Sequence, residues 1–210
     1  MTPKEDMFKR IREALVSLPM GMNPEVDLET SVYHVGDDDL PVLFAENFVA
    51  CGGRLIYCTT VDEALRSVQE LVSVQPWDGQ VYCADEDVQS LLEVAKVSYA
   101  SKPIDAVLRR VGFCKCRALV ADTGSVVIDS QSGGRRILAH AESLVLLASV
   151  DQICRDMHEL MKQFRSTRDV SMISVWTGRS CILDIDGQAM QGLGPRNVYL
   201  LLIDEIDTSE

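Results

Sequence analysis

The feature that most constrains the fold is a set of short apolar runs, each bounded by turn or helix signals. Residues 55–58 read Leu-Ile-Tyr-Cys, and residues 144–147 read Leu-Val-Leu-Leu. A strand without polar positions has both faces buried, as in a parallel sheet that helices cover on both sides. Stretches with helical spacing separate these runs. We therefore predict an α/β fold with a mainly parallel sheet, arranged as a three-layer α/β/α sandwich.

Local signals place the individual elements along the chain. Thr60 and Glu63 form a capping-box pattern that begins one helix, and Asp85 is a cap for the next. Residues 132–134 read Ser-Gly-Gly, which predicts a hairpin between residues 125–128 and 136–138. The predicted helices are residues 4–17, 40–50, 60–74, 85–95, 115–120 and 151–164, and the predicted strands are 55–58, 80–83, 111–113, 125–128, 136–138, 144–147, 171–176 and 197–203.

A length of 210 residues suits one domain that can bury a full core. We expect a helix and an extended connector over residues 1–40, the α/β domain over 41–204 and an acidic tail over 205–210. The formal net charge of -12 argues against nucleic acid and anionic lipid as partners. No apolar run is long enough to span a membrane. Scattered cysteines in apolar surroundings and the lack of a signal sequence indicate a cytoplasmic protein.

Two loops carry the residues that could bind a ligand. Residues 121–125 read Ala-Asp-Thr-Gly-Ser, and residues 177–180 read Thr-Gly-Arg-Ser. Ligands of open α/β sheets bind beyond the carboxyl ends of strands, where such donors would meet them. Turn chemistry explains each loop equally well, since neither is a Walker loop or a dinucleotide fingerprint. The candidate ligand-binding residues are Thr123, Gly124, Ser125, Arg136, Gly178, Arg179, Ser180, Asp184 and Arg196, and Asp122 is the candidate catalytic carboxylate.

The remaining chemical signals are weaker. Asp184 and Asp186 would share one face of a strand and could hold a metal or move a proton, but they equally suit a turn around Gly187. Cys114 and Cys116 match neither a CxxC motif nor zinc-site spacing, so core filling is the favoured interpretation. We predict neither a metal ion nor a cofactor.

Several stretches resemble the LUD-domain family, the lactate-utilisation protein C or YkgG-like group, over about residues 43–203. Residues 45–54, which end in Cys-Gly-Gly-Arg, are similar to the family's early helix and its glycine pair. Residues 111–125 are similar to its V-G-(x)n-A-E-T-G-T segment. Residues 178–186 and 194–196 are similar to its G-P-S-K/R-T-x-D-I-E and G-x-H-G-P-R segments.

The chain departs from the family pattern at positions that would contact a ligand. Asp122 stands where glutamate is usual, Arg179 where proline is usual, and Leu193 where histidine is usual. The resemblance is therefore that of a divergent member, which keeps the framework and alters the lining of the pocket.

The resemblance implies a fold of the NagB/RpiA/CoA-transferase class. It also implies a place in a three-protein system that oxidises L-lactate to pyruvate, in which the iron–sulfur subunits are separate chains. We hypothesise a component of organic-acid utilisation that binds a small carboxylate or phosphorylated ligand at the strand-end loops. Whether the chain is an enzyme or a non-redox subunit stays open, as does homo-oligomerisation. The alternatives are a stand-alone isomerase or acyl/CoA-transferase that uses Asp122, and a non-catalytic scaffold of an iron–sulfur oxidoreductase complex.

Overall fold

The computed structural model describes residues 4, 6–10, 39–75, 77–102, 105, 108–130, 132, 135–164, 170–179, 181–183, 189–191 and 194–204. At residues 135–136, 181–183 and 189–191 it describes the backbone alone. The predicted connector, the acidic tail and most of the first predicted helix lie outside these ranges. Residues 6–10 are helical, and Lys4 Nζ lies 5.9 Å from the centre of the Phe8 ring.

Five helices and eleven strands follow in the described part of the chain. The helices are α1 Leu40–Ala50, α2 Val61–Val74, α3 Glu86–Val94, α4 Arg135–His140 and α5 Met157–Phe164. The strands are β1 Arg54–Cys58, β2 Val81–Cys83, β3 Val111–Lys115, β4 Ala118–Val120, β5 Ser125–Asp129, β6 Ser143–Ser149, β7 Ile153–Cys154, β8 Ile173–Thr177, β9 Cys181–Leu183, β10 Ala189–Gln191 and β11 Asn197–Ile203.

The main sheet has the order β1–β11–β6–β3–β2, and every neighbouring pair in it is parallel. Side chains on alternate positions of β6 enter different cores. Leu144 and Leu146 pack with Phe44 and Phe48 of α1, while Val145 packs with α2 and α3. This burial on both faces is the physical reason that the strand has no polar position between its ends. The predicted three-layer α/β sandwich is confirmed.

A second sheet with the order β7–β4–β5–β8 packs on the α1 side of the main sheet. In β4, Leu119 joins the core that contains Phe44, whereas Ala118 and Val120 pack with Leu160 of α5. The alternation places α5 over the outer face of this sheet. A separate antiparallel pair is formed by β9 and β10.

Capping residues set several helix boundaries. Thr60 Oγ1 accepts a hydrogen bond from Glu63 N at 3.3 Å, as the capping box predicts. The Glu63 carboxylate accepts from Thr59 N at 2.8 Å, so it reaches one residue beyond the cap. Asp85 Oδ1 accepts from the backbone N–H groups of the first turn of α3. The predicted starts of these two helices are confirmed.

Three element predictions are wrong, and each concerns a short segment. Residues 118–120 form a strand, because β4 pairs with both β5 and β7. Residues 135–140 form a helix rather than the second strand of a hairpin, and Ile137 and Leu138 are buried in the core beside β3. Asp151 lies in a 3₁₀ turn, and α5 begins only at Met157.

The sequence carried a signal for the true start of α5. Asp156 Oδ1 accepts a hydrogen bond from Glu159 N at 2.8 Å, and the Glu159 carboxylate accepts from Arg155 N at 2.7 Å. This reciprocal pair is a capping arrangement with aspartate at the cap. Ile153, which the sequence placed in the helix, pairs instead with Leu119 in the second sheet.

Candidate functional site

Strand pairing brings the two predicted loops together. β5 and β8 are antiparallel neighbours, and their register sets Ser125 opposite Thr177. The Ser125 and Thr177 hydroxyl oxygens are 2.6 Å apart, and the Thr123 hydroxyl lies 2.6 Å from Ser125 on the other side. Ser125 is fully buried, while Thr123 and Thr177 are exposed. Three hydroxyls therefore form a chain that joins both loops, which we call the two-loop site (residues 121–125 and 177–179).

The end of α1 holds both loops in place. The Asn47 amide donates hydrogen bonds to the backbone oxygens of Ala121, at 2.9 Å, and Asp122, at 3.2 Å. Cys51 O accepts from Arg179 N at 3.4 Å. No pattern in the sequence places Asn47 at the site. An asparagine in the last turn of a helix is a common surface residue, and only the tertiary structure aligns its amide with a distant loop.

Two glycines allow this close approach. Gly124 has a φ of +60° and Gly178 a φ of +70°, in the left-handed region that other residues avoid. A Cβ on Gly124 would overlap the backbone of Asn47 and Phe48, and one on Gly178 would overlap Cys51 O. The space beside both glycines is therefore filled by α1 and the turn after it. Ligand contact at Gly124 and Gly178 stays a prediction.

The site lies at the end of the main sheet where its parallel strands begin. Residues 51–53 lead directly into β1, and Gly178 and Arg179 pack on that turn. The loops do follow β4 and β8, but these strands belong to the second sheet. The expectation that these two loops lie at the carboxyl ends of strands in the open parallel sheet is therefore wrong, because sequence order does not reveal which sheet a strand joins.

The predicted cations lie in different surroundings. Arg179 is exposed, and its aliphatic stem covers Gly52, since a Cβ there would lie 3.4 Å from Arg179 Cδ. Arg179 therefore lies near the carboxyl end of α1, where the helix dipole favours positive charge. Arg196 lies 3.9 Å from Glu142, which is also 3.7 Å from Arg110. The backbone of Arg136 is in α4, and Ser180 and Asp184 lie outside the described residues.

The buried thiols have the character of core residues. Cys114 and Cys116 are at most 1% exposed, and burial raises the pKa of both thiols far above the ordinary value. Burial also raises the pKa of Cys83 to about 12. A thiol with a raised pKa holds little thiolate and reacts slowly. Cys51 differs in being exposed, and its Sγ lies 3.9 Å from Thr123 O in the two-loop site.

Two findings bear on metal ions and membranes in the described part of the chain. None of its helices has the length and apolar character needed to cross a bilayer. No three His, Cys, Asp or Glu side chains there are grouped closely enough to hold a metal ion.

Comparisons with known proteins give one family and one solved structure. A sequence model of the LUD domain matches residues 42–203. The crystal structure of a DUF162 family protein from Deinococcus radiodurans superposes with a TM-score of 0.59 at 12% identity, covering 78% of this chain and 96% of that one. This likeness supports the fold. A search of curated proteins gave no match.

Proposed function

The chain belongs to the LUD-domain family, which is associated with lactate utilisation, and from that premise we propose that it is an anion-binding component of an organic-acid utilisation system. Its ligand is a small carboxylate of the lactate or pyruvate kind. The ligand binds at the two-loop site, where Arg179 provides the positive charge and the hydroxyls of Thr123 and Thr177 provide hydrogen bonds.

The observation that carries this proposal is the pairing of Ser125 with Thr177 across β5 and β8. Two loops that are 52 residues apart contribute to one hydroxyl chain. Ser125 is buried and can orient either exposed hydroxyl, because each hydroxyl can donate or accept a hydrogen bond. An α-hydroxy acid offers both kinds of partner, since its hydroxyl can donate, whereas an α-keto acid offers acceptors alone.

Charge selects the ligand class. Arg179 is exposed and its guanidinium can hold a carboxylate through two parallel hydrogen bonds. The chain as a whole is acidic, with a formal net charge of -12. A singly charged small acid meets less repulsion from such a protein than a multiply charged phosphate ester does.

Titration calorimetry tests the site. L-lactate, pyruvate and a sugar phosphate are titrated into the wild type, into Arg179→Ala and into Arg66→Ala, a control that removes an exposed arginine from α2. We expect the small acids to bind the wild type and Arg66→Ala equally. Loss of a charged hydrogen bond of about 1.5–3 kcal/mol should weaken binding to Arg179→Ala by about tenfold or more. Equal binding to both variants, or no binding by the wild type, would exclude the site.

Oxidation of lactate to pyruvate releases two electrons and two protons, and we infer that iron–sulfur subunits on other chains accept the electrons while the protons pass to solvent. Affinity purification from native extract tests this assembly, with the co-purified proteins assayed for iron and acid-labile sulfide. Iron–sulfur partners that co-purify with Arg179→Ala as well as with the wild type would assign the chain an assembly role independent of ligand. Absence of iron from the purified material would argue against the assembly.

A further inference from the structure

A second cleft lies at the opposite end of the main sheet, beyond the carboxyl ends of its strands. The two outer strands of this sheet are β1, which leads into α2, and β2, which leads into α3, and three strands lie between them. α2 packs on β1 and β11, whereas α3 packs on β2 and β3. The amino ends of the two helices therefore diverge over the end of β6. The cavity between them has a volume of about 310 Å³, and crevices at this kind of position commonly bind ligands.

The cleft is apolar along most of its surface. Leu147 and Ala148 of β6 and Ile203 of β11 form its floor. Val61 of α2 and Leu91 of α3 form its walls. An apolar group placed here would lose contact with water on several sides at once, and burial of this kind supplies most of the affinity in small-molecule sites.

One end of the cleft carries a pair of opposite charges. Lys115 Nζ lies 3.2 Å from Asp87 Oδ2, and the two side chains are 39% and 79% exposed. An ion pair this exposed contributes little to stability, so a ligand can separate it at small cost. The pair presents a cationic and an anionic group side by side at the mouth of an apolar cavity.

The helix caps at this end of the sheet make it a poor site for phosphate. Asp85 Oδ1 accepts from Asp87 N at 3.1 Å and from Val88 N at 3.2 Å, and Thr60 Oγ1 accepts from Glu63 N at 3.3 Å. These N–H groups would otherwise bind an anion. A phosphate near α3 would instead meet the carboxylates of Asp85 and Asp87.

We propose that this cleft binds a small zwitterion with an apolar side chain, an α-amino acid of the leucine or phenylalanine type. The ammonium group pairs with Asp87, the carboxylate pairs with Lys115, and the side chain lies on Leu147, Ala148 and Ile203. A zwitterion matches both members of the ion pair, whereas a simple anion would face Asp87 and a simple cation would face Lys115. The proposal is independent of the two-loop site, since the two lie at opposite ends of the sheet.

Saturation-transfer NMR and calorimetry with L-leucine and L-phenylalanine test the cleft. The comparison ligands are 4-methylpentanoate, which lacks the ammonium group, and isoamylamine, which lacks the carboxylate. The variants are Lys115→Met, which removes the cation, and Val61→Phe, which places a larger side chain on the α2 wall of the cavity. Lys162→Met, an exposed lysine of α5, is the matched control.

We expect both amino acids to bind the wild type, Lys162→Met and Arg179→Ala alike. Binding should be at least about tenfold weaker for Lys115→Met, for Val61→Phe and for each single-charge ligand. Unchanged thermal unfolding midpoints verify that the variants fold. The proposal fails if neither amino acid binds the wild type, if binding survives both cleft variants, or if 4-methylpentanoate binds as tightly as leucine. Failure here leaves lactate binding at Arg179 untouched, so the two proposals are judged separately.

Discussion

Replacement of Gly124 by alanine should destabilise the protein through a backbone clash at the two-loop site. The new Cβ would overlap Phe48 N and the carbonyl carbon of Asn47, both of which belong to the backbone of α1. Backbone atoms of a helix cannot rotate away as a flexible side chain can. Either α1 or the loop must therefore move, and the hydrogen bonds from Asn47 to the loop would be strained.

The magnitude follows from three contributions. A non-glycine residue in the left-handed region costs about 1–2 kcal/mol. The forced displacement of packed groups costs about 1–3 kcal/mol. Alanine recovers about 0.4–1 kcal/mol by restricting the unfolded chain. The net loss is about 1–5 kcal/mol, and a central value of about 3 kcal/mol would lower the unfolding midpoint by about 6–12 °C for a chain of this size.

Gly79→Ala is a matched control, because the φ of Gly79 is +65° and a Cβ there would meet nothing within 4 Å. It has the conformational cost without the clash, so its expected loss is about 1 kcal/mol. Urea unfolding followed by circular dichroism gives the free energy of unfolding of each variant. If Gly124→Ala and Gly79→Ala lower the free energy of unfolding by amounts that agree within about 0.5 kcal/mol, the close approach of the loop to α1 is refuted.

Three further predictions concern hydroxyls, thiols and a cap. A double-mutant cycle of Ser125→Ala and Thr177→Val should give a coupling energy of about 0.5–1.5 kcal/mol in urea unfolding, and additive losses would contradict the hydrogen bond. In native protein, Cys51→Ser should remove one thiol that reacts rapidly with Ellman's reagent, and an unchanged count would show that Cys51 is not exposed. The pKa of Asp85 is raised, mainly by burial, so this carboxyl favours the fold below its ordinary pKa and loses that contribution as pH rises through the folded-state value. The stability of Asp85→Asn relative to the wild type should therefore increase from pH 3 to pH 7. A decrease would show that the pKa of Asp85 is not raised in the folded protein.

Much of the main sheet could be predicted because burial on both faces leaves a local mark on the sequence. Leu40–Ala50 and Asn197–Ile203 have the same limits in the structure as in the sequence analysis. Strand periodicity and helix caps depend on residues that are close together in the chain, so both can be recognised from the sequence alone. The short elements carried no such mark. Residues 118–120, 135–140 and 153–154 have too few positions to establish a period, and their partners in space decided their conformation.

The candidate site divides in the same way. The sequence identified the loops at residues 121–125 and 177–180 from residue types that either bind ligands or form turns. The local sequence does not distinguish a ligand-binding loop from an ordinary turn. The structure confirms that the described parts of the loops adjoin, through the pairing of Ser125 with Thr177. It also shows that α1 occupies the space beside Gly124. Neither fact can be inferred without knowing that β5 and β8 are neighbours.

The sequence by itself determined the layered α/β architecture, the helix caps and the family, because each depends on the order of residue types along the chain. Only the tertiary structure decided which charged and apolar side chains lie together at each end of the sheet. It placed Arg179 on the turn before β1 and put Lys115 beside Asp87 over an apolar cavity at the other end. The physical reason is that strand order is set by packing between distant segments, and the charge and burial of a site depend on that order.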